Sequence, residues 1–385
     1  MISKKNILCF GSENWEYPGF QQTLMRKFSE SNKVIFVNPI GSRKIKLQYS
    51  QLEIYFNKIR RTFAKRKSPT TNCFVCSPWI IPLIYSSIIT KLNQKLIKYQ
   101  FSRILIKMNF DPYILWIGTP TASFILDIFN PKLIVYHAVD RYSEFSFVDR
   151  EKIRLYEKKI AEKADVILCT SDAIRNDLIK YNRFTYTITH AVEFEHFHSA
   201  FIENFIPEDI SDIPKPIIGY FGGLSERVNF ALIKKIAIRY PHANIVLIGK
   251  IITDINYLKK YLNIHILGPK DYKKLPYYLK YFDVCLIPYY VNELMMGVDP
   301  IKLREYLCLG QPIVSVNLPE VKKLNHVVYI GEDEEDLIFQ VGKALNEKNA
   351  NLREKRIQIA RQSDWSNKMD EISTILDRIV VHKEI

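Results

Sequence analysis

Glycine is scarce in this 385-residue chain, 13 in all, which excludes Gly-rich and collagen-like repeats. Cysteine is limited to six residues. Cys9, Cys169 and Cys285 sit inside apolar runs, where a free thiol behaves as a small hydrophobe. Cys73 and Cys76 form a lone CxxC with no second ligand pair at metal spacing, so all six read as structural thiols in a reducing compartment. Long hydrophobic runs are also missing. The longest uncharged stretch, 68–90, is broken by Pro69, Pro78 and Pro82, and a spanning helix needs about 20 apolar residues. The opening MISKKNILCFGS has too short an apolar segment for a secretory leader, and none is expected. No Asp-x-Asp triplet occurs anywhere. Finally, the first half is poor in negative charge. Residues 1–200 carry 30 basic and 17 acidic side chains, whereas residues 201–385 carry 25 and 24, so nearly all of the net +14 lies in one half.

What is present points to packed cores. Hydrophobic residues make up 47% and aromatics 13%, too rich for disorder. One core rarely grows beyond roughly 250–300 residues, so two domains are expected. Short apolar runs alternate with helical segments: strands at 6–10, 34–37, 74–76, 113–117, 133–136 and 166–169, and helices at 21–29 and 88–108. Buried strands alternating with helices imply parallel sheets covered on both faces. The polar, proline-bearing PEDISDIPKP (207–216) reads as a linker. A second series follows, with strands at 217–221, 244–248, 264–267, 284–287 and 313–316 and helices at 231–240 and 300–309. The last stretch, 364–382, has apolar residues at helical period. The expected fold class is α/β, with two Rossmann-like doubly wound domains whose ligand cleft lies at the carboxyl ends of the strands. The expected boundaries are 1–206 plus a final helix 364–385, and 207–363.

The most informative segment is DPIKLREYLCLGQPIVS (299–315). Asp299 is a good N-cap and Pro300 a good first helical residue, with Gly310 ending the helix. Lys302 in the first turn opposes the usual preference for acids there, which an anionic ligand would explain. Glu305, three residues on, shares its face, and a cation beside a carboxylate suits a phosphate plus sugar hydroxyls. The plainer reading is a solvated surface pair. Gly222 and Gly223 follow a strand and would let the backbone approach a diphosphate, or simply make a tight turn. Arg227, just before the next helix, could pair with phosphate oxygens or lie in solvent.

These segments resemble the GT-B-fold glycosyltransferases over nearly the whole chain. IIGYFGGLSER (217–227) resembles their glycine turn, and FDVCLIPYYVNELMMGVDPIKLREYLCLGQPIVS (282–315) their donor loop and phosphate helix. HAVEFEHFH (190–198) resembles the stretch closing their N-terminal domain, and SDWSNKMDEISTIL (363–376) the C-terminal helix that crosses back onto it. The group resembled is bacterial cell-surface polysaccharide enzymes of the teichuronic-acid and xanthan-type glucuronosyltransferase kind. The resemblance implies a nucleotide-sugar donor, UDP in preference to GDP. It implies that Lys302 neutralises the diphosphate and that Glu305 holds ribose or donor-sugar hydroxyls. Asp299 belongs to the same donor segment. Retaining family-4-type members carry two glutamates eight positions apart. Glu305 matches the second, the first falls on Gly297, and Glu293 is out of register, which favours inversion. His190 and Glu193 stand where relatives have Asn and Asp and look structural. With no Asp-x-Asp, the resemblance implies that basic groups replace a metal, and neither metal nor other cofactor is expected.

Inverting transfer needs a general base for the acceptor hydroxyl. Asp140, just past the strand in LIVYHAVDRYSEF, stands where such sheets present ligand-facing residues. Related enzymes show a similar Tyr-x-x-x-Asp. A helix-cap or loop role is the alternative. His137 and Glu13 are weaker candidates, with Glu16 beside Glu13. Trp15 and Tyr17, in the loop after the first strand, could stack on an acceptor sugar, or the Trp could simply be packed. Residues 43–67 hold nine Lys/Arg and one acid, Glu53, interleaved with apolar residues, and an apolar 73–89 follows with Trp79 and Tyr85. That pattern reads as an anionic membrane surface contact through residues 43–89. The expected partners are a nucleotide-sugar and a glycan or lipid-linked oligosaccharide acceptor, and the expected place is cytoplasmic, peripheral on the inner face of the plasma membrane. Alternatives are a retaining transferase, a nucleotide-sugar 2-epimerase on the same fold, or a basic nucleic-acid binder. The last has no recognised motif to support it, so no nucleic acid is expected.

Overall fold

The computed structural model describes residues 2–16, 19–40, 67–81, 85–203 and 205–384, apart from the side chains of 67–70, 383 and 384. It divides into two compact units, Met1–Thr189 with Met369–Ile385, and His190–Lys368.

The first unit holds strands β1 (Asn6–Phe10), β2 (Lys33–Val37), β3 (Lys67–Thr70), β4 (Cys73–Cys76), β5 (Tyr113–Ile117), β6 (Leu133–Ala138), β7 (Val166–Cys169) and β8 (Thr185–Thr187). They form one sheet in the order β3-β4-β2-β1-β5-β6-β7-β8. Seven strands are parallel, and β3 pairs antiparallel with β4 at the edge. The strands are continuous buried runs such as YILWI and VILC, as a sheet covered on both faces requires. Asp149 and Ser171 cap the helices Arg150–Lys163 and Asp172–Leu178 by accepting from Lys152 N–H (3.3 Å) and Ile174 N–H (3.3 Å). The final helix, Trp365–Glu384, belongs to this unit from Met369 onward. There Ser373 Oγ accepts the Ile2 N–H at 3.2 Å, and His382 packs edge-on against Phe184.

The second unit holds β9 (Ile217–Phe221), β10 (Asn244–Ile248), β11 (Ile264–Gly268), β12 (Val284–Ile287), β13 (Ile313–Val316) and β14 (Tyr329–Gly331). All pair in parallel, in the order β11-β10-β9-β12-β13-β14. Numbered within the unit this is 3-2-1-4-5-6, the doubly wound order whose ligand crevice opens where the winding reverses, between β9 and β12. In the first unit the reversal falls between β1 and β5.

The two units divide at Thr189/His190, ahead of the expected 206/207. Residues 207–216 are not a loose linker. They hold a short helix, Glu208–Ser211, whose Ile210 is wholly buried. Asp209 accepts from Tyr278 Oη (2.6 Å) and Lys270 Nζ (2.5 Å), tying the segment to the second unit. Among the described residues no helix is long and apolar enough to cross a membrane.

One buried ion pair anchors the second unit. Arg356 is wholly buried. It makes a two-pronged contact with Glu347, 2.6 Å on each arm, and donates to Val327 O (2.8 Å) and Gly310 O (3.3 Å). Removing the cation strands a buried carboxylate, at a cost of about 3–5 kcal/mol. Arg356→Leu is therefore expected to lose that much stability in urea titration, and adding Glu347→Gln to recover part of it. A loss below about 1 kcal/mol would contradict the assignment.

Candidate active site

In the second unit the chain leaves β9 at Phe221 and turns at Gly222. That residue has φ +139°, a left-handed conformation that side chains disfavour. A Cβ there would also stand 3.0 Å from Lys302 Nζ and 3.1 Å from Tyr220 Oη. The turn after β10 presses on it: Gly249, at φ +151°, would put a Cβ 1.8 Å from Gly222 O. The glycines thus let two strand ends approach each other and leave Gly223 exposed.

Lys302, in the first turn of helix Ile301–Leu307, reaches back over this turn. Its ammonium donates to Tyr220 Oη (3.2 Å) and to Tyr289 Oη, and lies 4.6 Å and 4.5 Å from the centres of the two rings. Two aromatic faces and two hydroxyls hold the cation without themselves neutralising it, so it remains able to meet an anion. Burial drives the Tyr220 hydroxyl well above the ordinary phenol range, and the nearby Arg227 charge works against that rise. Gly222 and Lys302 therefore meet, with the Arg227 charge close enough to act on the same phenol.

Glu305 lies beneath, buried. Burial pushes its carboxyl up to about 7; the Lys302 charge opposes this, Glu193 adds to it, and a hydrogen bond from Tyr272 opposes it. Glu193 and Tyr272 are site members that residue pattern alone missed. They arrive from distant points of the chain, and His196, stacked 5.0 Å from the Tyr272 ring, helps seat the phenol. A carboxyl titrating near 7 can either donate to or accept from a sugar hydroxyl.

Asp299 has a different role. The helix begins at Ile301 with Pro300 in the cap position, so Asp299 is not its N-cap. Its carboxylate is buried, pairs with Arg304 and accepts the His190 N–H at 2.8 Å. It braces the start of the second unit through these two contacts. His190 is buried too, and burial, with the Arg304 and Lys368 charges, pushes its imidazole down to about 3.

In the first unit the candidates gather around Tyr142, at the carboxyl ends of β1, β5 and β6. The Tyr142 hydroxyl donates to Gly118 O at 2.7 Å. Burial drives it well above the ordinary phenol range, the Asp140 charge adds to this, Ser12 hydrogen-bonds to it, and Glu13 contributes a smaller push. Asp140 and Glu13 therefore stand around one phenol at this unit's winding reversal. His137 does not join them. It is 1% exposed, its ring 5.5 Å from Phe20 and 5.6 Å from Trp116, a core histidine inside β6. Trp15 is likewise not an open stacking platform. It is 6% exposed, edge-on to Phe36 at 5.0 Å, with the Arg26 guanidinium 5.1 Å from its ring centre. Glu16 is exposed. Tyr17 lies outside the described residues, as do 41–66 and 82–84 of the basic and apolar stretch. Tyr85 stacks on Tyr156 and its carbonyl takes Lys152 Nζ (2.9 Å), so it faces its own unit. Among the described residues no three His, Cys, Asp or Glu side chains gather as metal ligands.

No family model matches the chain. A Bacillus subtilis (strain 168) protein, TuaH, to which a teichuronic acid biosynthesis glycosyltransferase activity is ascribed, is 26% identical over 275 residues, covering 66% of this chain and 68% of that protein. The sucrose-phosphate synthase structure from Thermosynechococcus elongatus matches with a TM-score of 0.71 at 14% identity, over 98% of this chain and 100% of that one. Anabaena HepE, in complex with UDP and glucose, matches at 0.64 and 14%, over 97% and 99%. Trehalose 6-phosphate synthase from Burkholderia multivorans matches at 0.68 and 12%, over 99% and 100%.

Glu305 supplies a pH test. Its folded carboxyl sits near 7, above the ordinary 4.5, so the folded state holds the proton more tightly. Stability therefore falls as pH rises from about 4.5 to about 7, by on the order of 2–3 kcal/mol. Glu305→Gln removes that dependence. The melting temperature of the variant is expected to gain on the parent between pH 5 and pH 8, and parallel profiles would contradict the placement. The two Rossmann-like units, matched over nearly the whole chain by these structures, have the GT-B fold, and the chain's sequence is similar to that of a protein described as a glycosyltransferase.

Proposed function

We propose that the chain transfers a sugar from a UDP-sugar to a hydroxyl of a glycan or lipid-linked acceptor in cell-surface polysaccharide synthesis, with inversion and without a metal. The observation that carries this is the Lys302 ammonium, held by Tyr220 and Tyr289 directly over the Gly222 turn. A diphosphate is the ligand that needs a cation, a nearby guanidinium and close backbone approach at one point. Preference for uridine draws support from HepE, a fold relative captured with UDP and glucose and with UDP-glucose. The polysaccharide setting draws on TuaH.

In this reading the acceptor oxygen attacks the anomeric carbon as the bond from that carbon to the β-phosphate oxygen breaks. The electron pair of that bond departs on UDP, where Lys302 and Arg227 meet the growing charge. The acceptor proton passes to Asp140, with Glu13 as the weaker alternative. Glu305 holds donor hydroxyls. A retaining course has one observation in its favour: Glu193 lies near enough to Glu305 to raise it, a second carboxylate that the sequence spacing lacks.

Lys302→Ala is expected to weaken UDP binding roughly 10- to 100-fold by calorimetry, the worth of a charge-assisted contact. Unchanged affinity would refute the diphosphate site. Asp140→Asn is expected to cut turnover about 10²- to 10⁴-fold with UDP affinity kept, and near-parental turnover would remove Asp140 as base. NMR of the product anomer decides the stereochemistry, and a retained anomer would transfer attention to Glu193 and Glu305.

A further inference from the structure

The helix Ser87–Lys107 is apolar on two sides. One side packs inward through Asn93, Ile97 and Phe101. The other presents Ile88 (72% exposed), Leu92 (44%), Tyr99 (60%) and Ile106 (81%). At about 100° per residue these four fall within roughly 40° of arc, a single line along the outer surface. Trp79 (45% exposed) lies beside the same helix, its backbone N–H and C=O both tied to the Gln100 side chain at 2.9 Å. Exposed apolar residues scattered singly are ordinary, but an aligned row is a contact surface.

The charges beside the row all have one sign. Lys91, Lys95, Lys98, Arg103 and Lys107 lie on this helix, which contains no Asp or Glu. Among the described residues none of the five is ion-paired. Arg103 sits 4.5 Å from the centre of the Tyr99 ring, beside the apolar line. A second copy of the chain meeting this face two-fold would set these cations against their equals. Nucleic acid would have no use for Ile88, Leu92 and Ile106. An anionic bilayer satisfies both features: aliphatic tips enter the acyl boundary, long basic side chains reach headgroup phosphates, and Trp and Tyr suit the interface.

We propose that the outer face of helix Ser87–Lys107, with Trp79, is a docking surface for an anionic lipid bilayer. This deepens the lipid-linked acceptor reading above by naming the surface that meets the membrane, and it stands on exposed residues of the first unit alone. The test is flotation of the full chain with phosphatidylcholine vesicles, with and without one third phosphatidylglycerol, beside UDP calorimetry on the same samples. The parent protein is expected to float only with the anionic vesicles, and less so at high salt. Leu92→Glu with Ile106→Glu, and separately Lys91→Glu with Lys95→Glu and Lys98→Glu, are each expected to weaken partitioning about tenfold or more. UDP affinity and melting temperature are expected to stay near parental, because every altered side chain is exposed. Failure of the parent to bind anionic vesicles would overturn the proposal, as would parental binding by both variants. A monomer–dimer shift caused by the glutamates, or binding to DNA in place of vesicles, would also overturn it. Loss of UDP binding in the parent protein would instead count against the transfer reading and leave the docking result intact.

Discussion

The candidate site depends on a cation that, among the described residues, makes no ion pair. Lys302 is gripped by two tyrosine rings and their hydroxyls. Such a grip fixes position while preserving charge. It requires that nothing intervene between the ammonium and the β9 turn, which is why residue 222 has no side chain and why Gly249 presses against its carbonyl. Glu305, in the same helix, would neutralise the lysine if fully ionised. Burial and Glu193 keep its carboxyl near 7, so that neutralisation is only partial at physiological pH.

The uneven charge of the chain takes its meaning from the two units. The second is near neutrality because its many cations are matched by acids, and three of its cations are individually seated: Lys302 by tyrosines, Arg304 on Asp299, Arg356 on Glu347. The first holds the excess, much of it on surfaces. Helix Ser87–Lys107 alone has five cations and no acid, on a face that also carries aliphatic residues. Electrostatic attraction of that kind is long-ranged and salt-sensitive, which suits capture at a charged surface better than recognition of a particular molecule.

Much of the fold was legible because buried parallel strands write themselves as short apolar runs. NILCF, YILWI, VILC and NIVLI all fall where the runs do. The strands that escaped notice, TYT, YIG and KSPT, are short or polar edge elements whose pairing comes from neighbours and not from their own pattern. Proline content suggested a linker at 207–216, but contacts of Ile210 and Asp209 outweigh it. Among site residues, Lys302, Glu305, Gly222 and Arg227 were visible because they lie close together in sequence or beside a strand end. Glu193, Tyr272, Tyr289 and Tyr142 were not, because only tertiary packing brings them in. Asp299 looked like a cap, and its carboxylate is instead consumed by Arg304 and the His190 backbone. His137 and Trp15 had suitable chemistry for a site, but strand alternation and packing against Phe36 turn them into the core.

The most direct measurement is a crystal structure of the protein with UDP. The account predicts the diphosphate over the Gly222–Gly223 turn, with Lys302 Nζ within hydrogen-bond distance of its oxygens and Arg227 on the same group. Diphosphate density away from that turn, with Lys302 still held only by Tyr220 and Tyr289, would contradict it.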